Sequence, residues 1–182
     1  MKQKESQLVF VIHKHHATSL HYDFRLQIGS VMPSWAIPKG PTLDNAKKRL
    51  AMETSDHSLE YRTFEGVLPE GYGAGPVMIW DEGYYLPEIE VSKGVREIIH
   101  NYEEGQKVMK EGLKKGELKF SLFGKKIQGS FALIKTKGFG GPKAWLLIKH
   151  KDEYVKSDYN ANDYDFSAVS GKSIEEIRKA GK

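Results

Sequence analysis

The histidine-rich segment "HKHHATSLHYDFRLQ", residues 13–27, holds the side chains whose types and spacing most favour chemistry. Four of the chain's seven histidines lie here within nine positions, and Asp23 and Arg25 follow them. Two imidazoles and one carboxylate, which His15, His21 and Asp23 would supply, are a common ligand set for Mn²⁺, Fe²⁺ or Zn²⁺ and leave positions open for water or substrate. Arg25, two residues after the carboxylate, suits a phosphate or carboxylate group next to such a metal.

Alternation within the segment predicts a β-strand that positions most of these groups. In "LHYDFRLQI", residues 20–28, apolar and polar side chains alternate, so His21, Asp23 and Arg25 share the face opposite an apolar row. We expect the apolar row to face the core and the polar row to meet water or line a cavity. His15 lies in "HHATS", where a loop could fold it beside the start of the strand. The alternative is a solvated strand face on which Asp23 and Arg25 form an ion pair, and the residues alone leave both interpretations open.

Four residues outside the segment are further candidates, each with a plainer alternative. His57 and Tyr61 in "DHSLEY" could donate to an oxyanion, although a single loop histidine is usually only a surface residue. Arg49 in "KRLAMET" is by itself interpreted as a surface cation. Lys39 is held in the Pro-flanked turn "PKGP", but turns often carry lysine.

Other conspicuous features are predicted to be structural. His13 alternates with Ile12 at the end of the first predicted strand, and it is predicted to have a structural role rather than a catalytic one. His16 is expected to be exposed. "GYGAGP" lacks the strand-to-helix context of a nucleotide-binding fingerprint, so it is interpreted as a tight turn. The three tryptophans lie in apolar runs and are predicted to be core residues.

Composition narrows the class of protein. The chain has 182 residues, 39% hydrophobic content and a formal net charge of +4, which permits an anionic partner such as nucleic acid without requiring one. It has no cysteine, which excludes disulfides and thiolate chemistry and fits a reducing compartment. The N-terminal apolar run is too short for a signal peptide, and no segment is long enough for a membrane span. We expect a cytoplasmic protein with no membrane partner and one domain over residues 1–182.

The predicted elements are mainly strands. Short β-rich runs separated by Gly- and Pro-containing turns favour a barrel or sandwich, and residues 117–136 are interpreted as a hairpin around Gly124. One helix is predicted in the 92–112 region, with Gly105 breaking it. A second short helix is predicted at the C-terminus, where Ser173 and Glu176 form a capping-box pair. The fold class is therefore mainly β with a few short helices.

The motifs "HKHHATSLHYDFRL", "SWAIPKGP", "KRLAMETSDHSLEY", "FEGVLPEGYGAG" and "VMIWDEGYY" occur in this order. Together they resemble the 3′-phosphoesterase domain of bacterial ligase D proteins, and the late "AWLLIKHKDEY" is similar to the closing segment of that domain. The resemblance is strongest over residues 10–154. It implies a compact β-barrel enzyme of DNA end repair that acts on the 3′ end of a primer–template duplex, removing a terminal ribonucleotide and then the remaining 3′-phosphate.

The resemblance also implies roles for individual residues. The metal ligands would be His15, His21 and Asp23, and the metal would be Mn²⁺, with Co²⁺ or Zn²⁺ as substitutes. The scissile phosphate would be surrounded by the other matching positions, which are Arg25, Arg49, His57, Tyr61 and Lys39.

This sequence departs from the family pattern at three points. His13 stands where the family usually has Gln, the turn "PEGYGAG" is one residue shorter, and only a few residues precede the first predicted strand. The last point bears on whether both reactions occur. We expect a stand-alone enzyme with no attached polymerase or ligase domain, whose ligase or polymerase partner is a separate chain.

Two rival functions stay open. A non-haem iron oxygenase could use His21, Asp23 and His57 as a facial triad. A non-catalytic nucleic-acid-binding module could use the late lysines, which are Lys114, Lys115, Lys119, Lys125 and Lys126.

Overall fold

The computed structural model describes residues 7–71 and 73–181. Within these ranges the chain forms ten strands, two α-helices and two 3₁₀ turns. The strands are β1 (Val9–His16), β2 (Leu20–Leu26), β3 (Val31–Ile37), β4 (Arg49–Ser58), β5 (Gly66–Leu68), β6 (Gly75–Ser92), β7 (Val95–Ile98), β8 (Glu117–Gly124), β9 (Gln128–Lys135) and β10 (Ala144–Lys149). The helices are α1 (Tyr102–Lys115) and α2 (Ile174–Ala180), and the 3₁₀ turns are Leu59–Thr63 and Ala161–Tyr164.

Antiparallel pairing closes eight of the strands into a ring. The order is β1-β2-β3-β4-β10-β9-β8-β6, and β6 also pairs with β1. The short strands β5 and β7 pair only with β6. The prediction of a mainly β fold is confirmed, and so is the predicted hairpin around Gly124, which joins β8 to β9.

The inner side of the ring is the main hydrophobic core. Trp35, Trp80 and Trp145 are fully buried there, as predicted, and Phe24 of β2 packs beside Trp35. Only Leu20, at the start of the predicted apolar row, is half-buried. The alternation of β2 therefore assigned its core face correctly.

The outer side of the ring is covered in the region of β1 and β2. A smaller apolar cluster of Val11, Met32 and Ile79 packs there against Leu59 of the 3₁₀ turn and against Ala168. In the polar row of β2, Asp23 and Arg25 are buried rather than solvated, at only 6% and 4% exposed, and His21 is half-buried.

Two α-helices were predicted and two are present, but the predicted start of the first helix is wrong. Residues 95–98 form β7 and pair with β6 around a turn at Gly94, whose φ is 75°. Helix α1 begins only at Tyr102, because the Asn101 side chain accepts the backbone N–H of Glu104. Gly105, expected to break the helix, is buried inside it, where a Cβ atom would lie 3.1 Å from Pro87.

The C-terminal helix agrees with its sequence signal. Ser173 and Glu176 form both hydrogen bonds of the predicted capping box at the start of α2. Among the residues that the structure describes, none of the helices has the length and apolar composition that spanning a bilayer would require.

A bulge in β6 lies next to the histidine-rich strand. The register of β1 on β6 shifts between Ile12, which faces Asp81, and His13, which faces Ile79. The polar groups of the bulge are satisfied by the β8–β9 turn: Lys126 donates to the Trp80 carbonyl, and Asp81 accepts the backbone N–H of Lys126 at 3.0 Å. The turn thus holds β6 at the point where β1 begins to carry site residues.

We predict that Lys126 makes stability rise with pH in an alkaline window. Burial lowers its pKa from 10.5 to about 8, against the opposing charge of Asp81. Between these two values the unfolded chain binds a proton that the folded protein lacks, so the free energy of unfolding increases with pH. Urea denaturation should show this rise for the wild type relative to Lys126→Met. The exposed neighbour variant Lys125→Met is the control, and a wild-type-to-Lys126→Met difference that is constant across the window would contradict the prediction.

Candidate active site

Three predicted ligands converge on the outer side of the ring. His15 of β1 lies directly opposite His21 of β2, and Asp23 follows on the same face. The Asp23 Oδ2 atom is 3.2 Å from His21 Nε2 and 3.8 Å from His15 Nδ1. One ligand atom from each residue lies within 4.8 Å of the others. The expectation that a loop carries His15 is wrong, since it is part of β1 and strand pairing holds it in place.

Backbone carbonyls hold the far side of both imidazole rings. His15 Nε2 lies 2.7 Å from the carbonyl oxygen of Gly73, and His21 Nδ1 lies 3.2 Å from that of Ser19. When these nitrogens donate their N–H groups, the lone pairs of His15 Nδ1 and His21 Nε2 face the Asp23 carboxylate. Metal-binding histidines usually donate their second N–H in this way. The donor set therefore fits a divalent transition metal.

The charge state of Asp23 also suits a cation site. Burial opposes ionisation, but the adjacent His15, the hydrogen bond with His21 and the charge of Arg25 hold the pKa of Asp23 well below its usual range. The carboxyl group is therefore ionised. The same hydrogen bond, to Asp23, raises the pKa of His21. A metal ion would replace the proton that His21 and Asp23 otherwise share.

Arg25 connects the proposed ligands to the remaining polar residues. Its Nη2 atom lies 3.4 Å from Asp23 Oδ2, and its Nη1 atom lies 3.1 Å from His57 Nδ1. The guanidinium also lies 5.1 Å from the ring centroid of Tyr61. A buried cation held by contacts on several sides keeps a fixed direction, which a phosphate-binding group requires.

His13 is a further hydrogen-bond partner of the Arg25 side chain. Its Nδ1 atom accepts a hydrogen bond from Arg25 Nε at 3.1 Å, and its Nε2 atom lies 3.1 Å from the Phe64 carbonyl oxygen. Burial, followed by the charge of Arg25, lowers the pKa of His13 to about 3, so the ring is neutral and keeps an acceptor for Arg25. His13 is buried, as expected of a structural residue, but its bond to Arg25 was not anticipated.

His57 and Tyr61 complete the group around Arg25. His57 lies near the end of β4 and Tyr61 in the 3₁₀ turn that follows, with their ring centroids 4.9 Å apart. Burial and then the charge of Arg25 lower the pKa of His57, and burial raises the pKa of Tyr61, so both side chains are neutral near pH 7. Within residues 7–71 and 73–181, His57 Nε2 and the Tyr61 hydroxyl have no hydrogen-bond partner, which leaves both for a substrate.

Arg49 and Lys39 are not joined to this group. Arg49 pairs with Leu147 at the start of β4, and its side chain lies on the face of the buried Ala51 rather than on the face of the site. Lys39 is exposed in the turn after β3, one residue past the position opposite His21. No hydrogen bond or ion pair of the described residues connects either side chain to the site, and their predicted roles stay predictions.

His16 was expected to be exposed, and the structure shows otherwise. It is half-buried and accepts a hydrogen bond from Arg178 Nη2 at 2.9 Å, so it connects β1 to α2. Its side chain lies outside the cluster formed by its neighbour His15.

Sequence reasoning also missed the groups that orient the imidazoles. Backbone carbonyls are common to every residue, so nothing in the side-chain pattern marks Ser19 or Gly73 as partners. The only available signal was the "GYGAG" turn, in which Gly73 adopts a left-handed φ of 87°. That turn was interpreted as a connection only.

Comparisons with known proteins identify the family to which this fold and this cluster of residues belong. The profile of the family described as "DNA Ligase D 3′-phosphoesterase domain" matches residues 13–135. The multifunctional non-homologous end joining protein LigD of Pseudomonas aeruginosa is 41% identical over 157 residues, 86% of this chain and 16% of that protein. The protein of the same name from Mycolicibacterium smegmatis is 41% identical over 161 residues, which are 88% of this chain and 18% of that protein.

A LigD of Mycobacterium tuberculosis is similar at 39% identity over 145 residues, 79% of this chain and 16% of that protein. The chain thus spans about one sixth of the length of these relatives. It belongs to the DNA ligase D 3′-phosphoesterase domain family, as its motifs indicated.

We predict that His13 stabilises the protein by holding Arg25. In His13→Ala the buried Arg25 Nε–H loses its acceptor, and we expect the free energy of unfolding to fall by about 2 kcal/mol. In His13→Gln an amide oxygen can accept the same hydrogen bond, so the loss should be clearly smaller. Urea denaturation of both variants measures this difference. Equal destabilisation of the two would contradict a role for the hydrogen bond.

Proposed function

We propose that the chain is a divalent-metal-dependent phosphoesterase that removes a 3′-terminal ribonucleotide, a 3′-phosphate or both from a primer–template and leaves a 3′-hydroxyl. The observation that carries the proposal is the convergence of His15, His21 and Asp23 beside the buried Arg25. Family membership supports the reaction class.

The donor set favours a transition metal. His15, His21 and Asp23 would hold Mn²⁺, with Co²⁺ or Zn²⁺ as substitutes, since two of the three ligands are imidazoles. When bound, such an ion polarises a phosphoryl oxygen and makes a water more acidic. The Gly73 and Ser19 carbonyls orient the imidazole rings so that His15 Nδ1 and His21 Nε2 would face the metal ion.

The neighbouring side chains would stabilise the phosphoryl group as charge develops on it. Arg25 is permanently charged and held in place by His13 and Asp23, so it can stabilise the charge of the transition state with little reorganisation. The neutral His57 and Tyr61 retain groups that donate to phosphoryl oxygens. Because none of the side chains assigned to the site is an obvious nucleophile for a covalent intermediate, we propose direct attack by water.

The proposed substrate is a nucleic-acid 3′ end in a duplex. The relatives are named as end-joining proteins, and the chain's net charge of +4 suits a polyanionic partner. A 3′-hydroxyl is the end that a DNA ligase or polymerase uses next, so such an enzyme is the proposed partner.

A 5′-labelled primer–template that ends in one ribonucleotide tests the function. With the wild-type chain and Mn²⁺, we expect conversion to a 3′-phosphate end, a 3′-hydroxyl end or the two in sequence, resolved by gel electrophoresis. Release of no product, together with DNA binding that is equal with and without metal, would instead support a non-catalytic binding module. The iron oxygenase is disfavoured because His57 contacts Arg25 while His15 joins His21 and Asp23.

We predict a strict preference among metals. Activity should be lost in EDTA, return with Mn²⁺ and return far less with Mg²⁺, because Mg²⁺ prefers an all-oxygen shell with several waters. Initial rates on the primer–template, measured after each metal is added back, test this expectation. Equal rates with Mg²⁺ and Mn²⁺ would remove the imidazoles from the proposed ligand set.

We also predict that substitutions separate metal binding from catalysis. Asp23→Asn and His21→Ala should lose both Mn²⁺ affinity and turnover. His57→Ala should keep the affinity and lose turnover by about 10²–10³-fold, as for removal of one transition-state donor. Asparagine is chosen at position 23 because alanine would leave the buried Arg25 without any polar partner there.

Isothermal titration with Mn²⁺ and initial rates measure these two properties, and circular dichroism is the folding control. Loss of Mn²⁺ affinity in His57→Ala equal to that in His21→Ala would make His57 a ligand and reopen the facial-triad alternative.

A further inference from the structure

The loop between β9 and β10, residues 136–143, exposes an aromatic ring. Phe139 is 71% exposed, more than any other large apolar side chain of the described residues. The loop reads "TKGFGGPK", and both lysines in it, Lys137 and Lys143, are exposed. We refer to residues 136–143 as the Phe139 loop.

The Phe139 loop has a defined conformation, so the exposed ring is held in place. Thr136 donates its N–H to the Ala144 carbonyl at 2.9 Å, and the Thr136 hydroxyl donates to the Phe139 carbonyl. Gly138 and Gly140 on either side of Phe139 have φ values of 100° and 77°, which side chains other than glycine rarely adopt. The backbone thus turns sharply on both sides of Phe139 and presents its ring to solvent.

Strand register places the end of this loop on the outer side of the ring, three strands around from Asp23. Asp23 lies opposite Ala36, Ala36 opposite Met52, and Met52 opposite Ala144, the β10 residue that directly follows the loop. Directly paired residues in antiparallel strands point to the same face. Three strand spacings separate Asp23 from Ala144, about 14 Å measured along the curved wall of the ring.

Two contacts show that the loop packs against β4, the strand that carries His57. The Glu53 N–H donates to the Lys143 carbonyl at 2.8 Å. A Cβ atom on Gly140 would lie 3.7 Å from Leu50, so the loop folds back over the outer face of this strand. The loop therefore lies against the outer side of β4, the strand whose far end carries His57.

The positive charge of the loop indicates that its partner is nucleic acid rather than protein. Neither Lys137 nor Lys143 forms an ion pair within residues 7–71 and 73–181. Lysine is depleted in protein–protein interfaces, whereas a ring flanked by free cations matches a base beside backbone phosphates.

We propose that the Phe139 loop is a second nucleic-acid contact, in which Phe139 stacks on a base and Lys137 and Lys143 bind the adjacent backbone. This inference rests on the proposed function. At 3.4 Å per nucleotide along one strand, a path of at least about 14 Å around the ring places the stacked base at least about four nucleotides from the reacting 3′ end. The loop sets affinity and position for long substrates and takes no part in the chemistry.

Binding and turnover of Phe139 variants test the proposal. Fluorescence anisotropy with a labelled primer–template in EDTA should give a dissociation constant about 5- to 50-fold higher for Phe139→Ala and Phe139→Leu, and unchanged for Phe139→Tyr. With Mn²⁺, KM for the primer–template should rise in Phe139→Ala while kcat is unchanged. A two-nucleotide substrate, too short to reach the loop, should be hydrolysed as by the wild type.

Matched controls use exposed residues elsewhere. Tyr154→Ala removes a 41% exposed ring beyond the opposite end of β10, and Lys93→Ala removes a lysine from the β6–β7 turn. Neither should change binding. Lys137→Ala and Lys143→Ala should each reduce the slope of log affinity against log salt by about 0.7–0.9.

The outcomes separate this proposal from the proposed function. Wild-type affinity in Phe139→Ala, wild-type affinity in Phe139→Leu, or an equal loss of turnover on the two-nucleotide substrate would overturn the loop's role even if the enzyme is active. Absence of any product from the wild type would overturn the proposed function, and the anisotropy data would still decide whether Phe139 contacts nucleic acid.

Discussion

A buried carboxylate, Asp23, is the charge on which the site depends. It is 6% exposed and lies between two imidazoles and the Arg25 guanidinium. Burying a charge is costly unless partners compensate, and each partner of Asp23 also has a proposed task. The same contacts that allow Asp23 to be buried therefore assemble a metal site on one side and a phosphate-binding cation on the other.

The closed ring makes this arrangement possible by giving β2 two buried faces. Phe24 fills the interior, while Asp23 contacts His21 and Arg25, and Arg25 packs beside Tyr61 of the 3₁₀ turn. Pairing of β1 with both β2 and β6 fixes His13 and His15 at the level of these residues. The polar groups are thus oriented by strand register rather than by flexible loops, which suits a site whose geometry must be preorganised.

Much of this could be predicted from residue patterns, and the failures have physical causes. The alternation of β2 identified both faces, and the motifs identified the family. Proximity of His15 to His21 was expected, but not that it arises from strand pairing, because "HHATS" contains turn-forming residues. The start of α1 was misplaced because Val95–Ile98 has apolar residues compatible with both helix and strand, and pairing with β6 decides between them. The carbonyl partners of the imidazoles were beyond prediction because they involve no side-chain signal.

Anomalous diffraction from a crystal soaked in Mn²⁺, recorded at the manganese edge, tests the central claim most directly. We predict one strong peak on the outer side of the ring, in bonding contact with His15 Nδ1, His21 Nε2 and a carboxylate oxygen of Asp23, with the Gly73 and Ser19 carbonyls still on the opposite ring nitrogens. A peak at another place, or coordination through His15 Nε2 with the Gly73 contact broken, would contradict it.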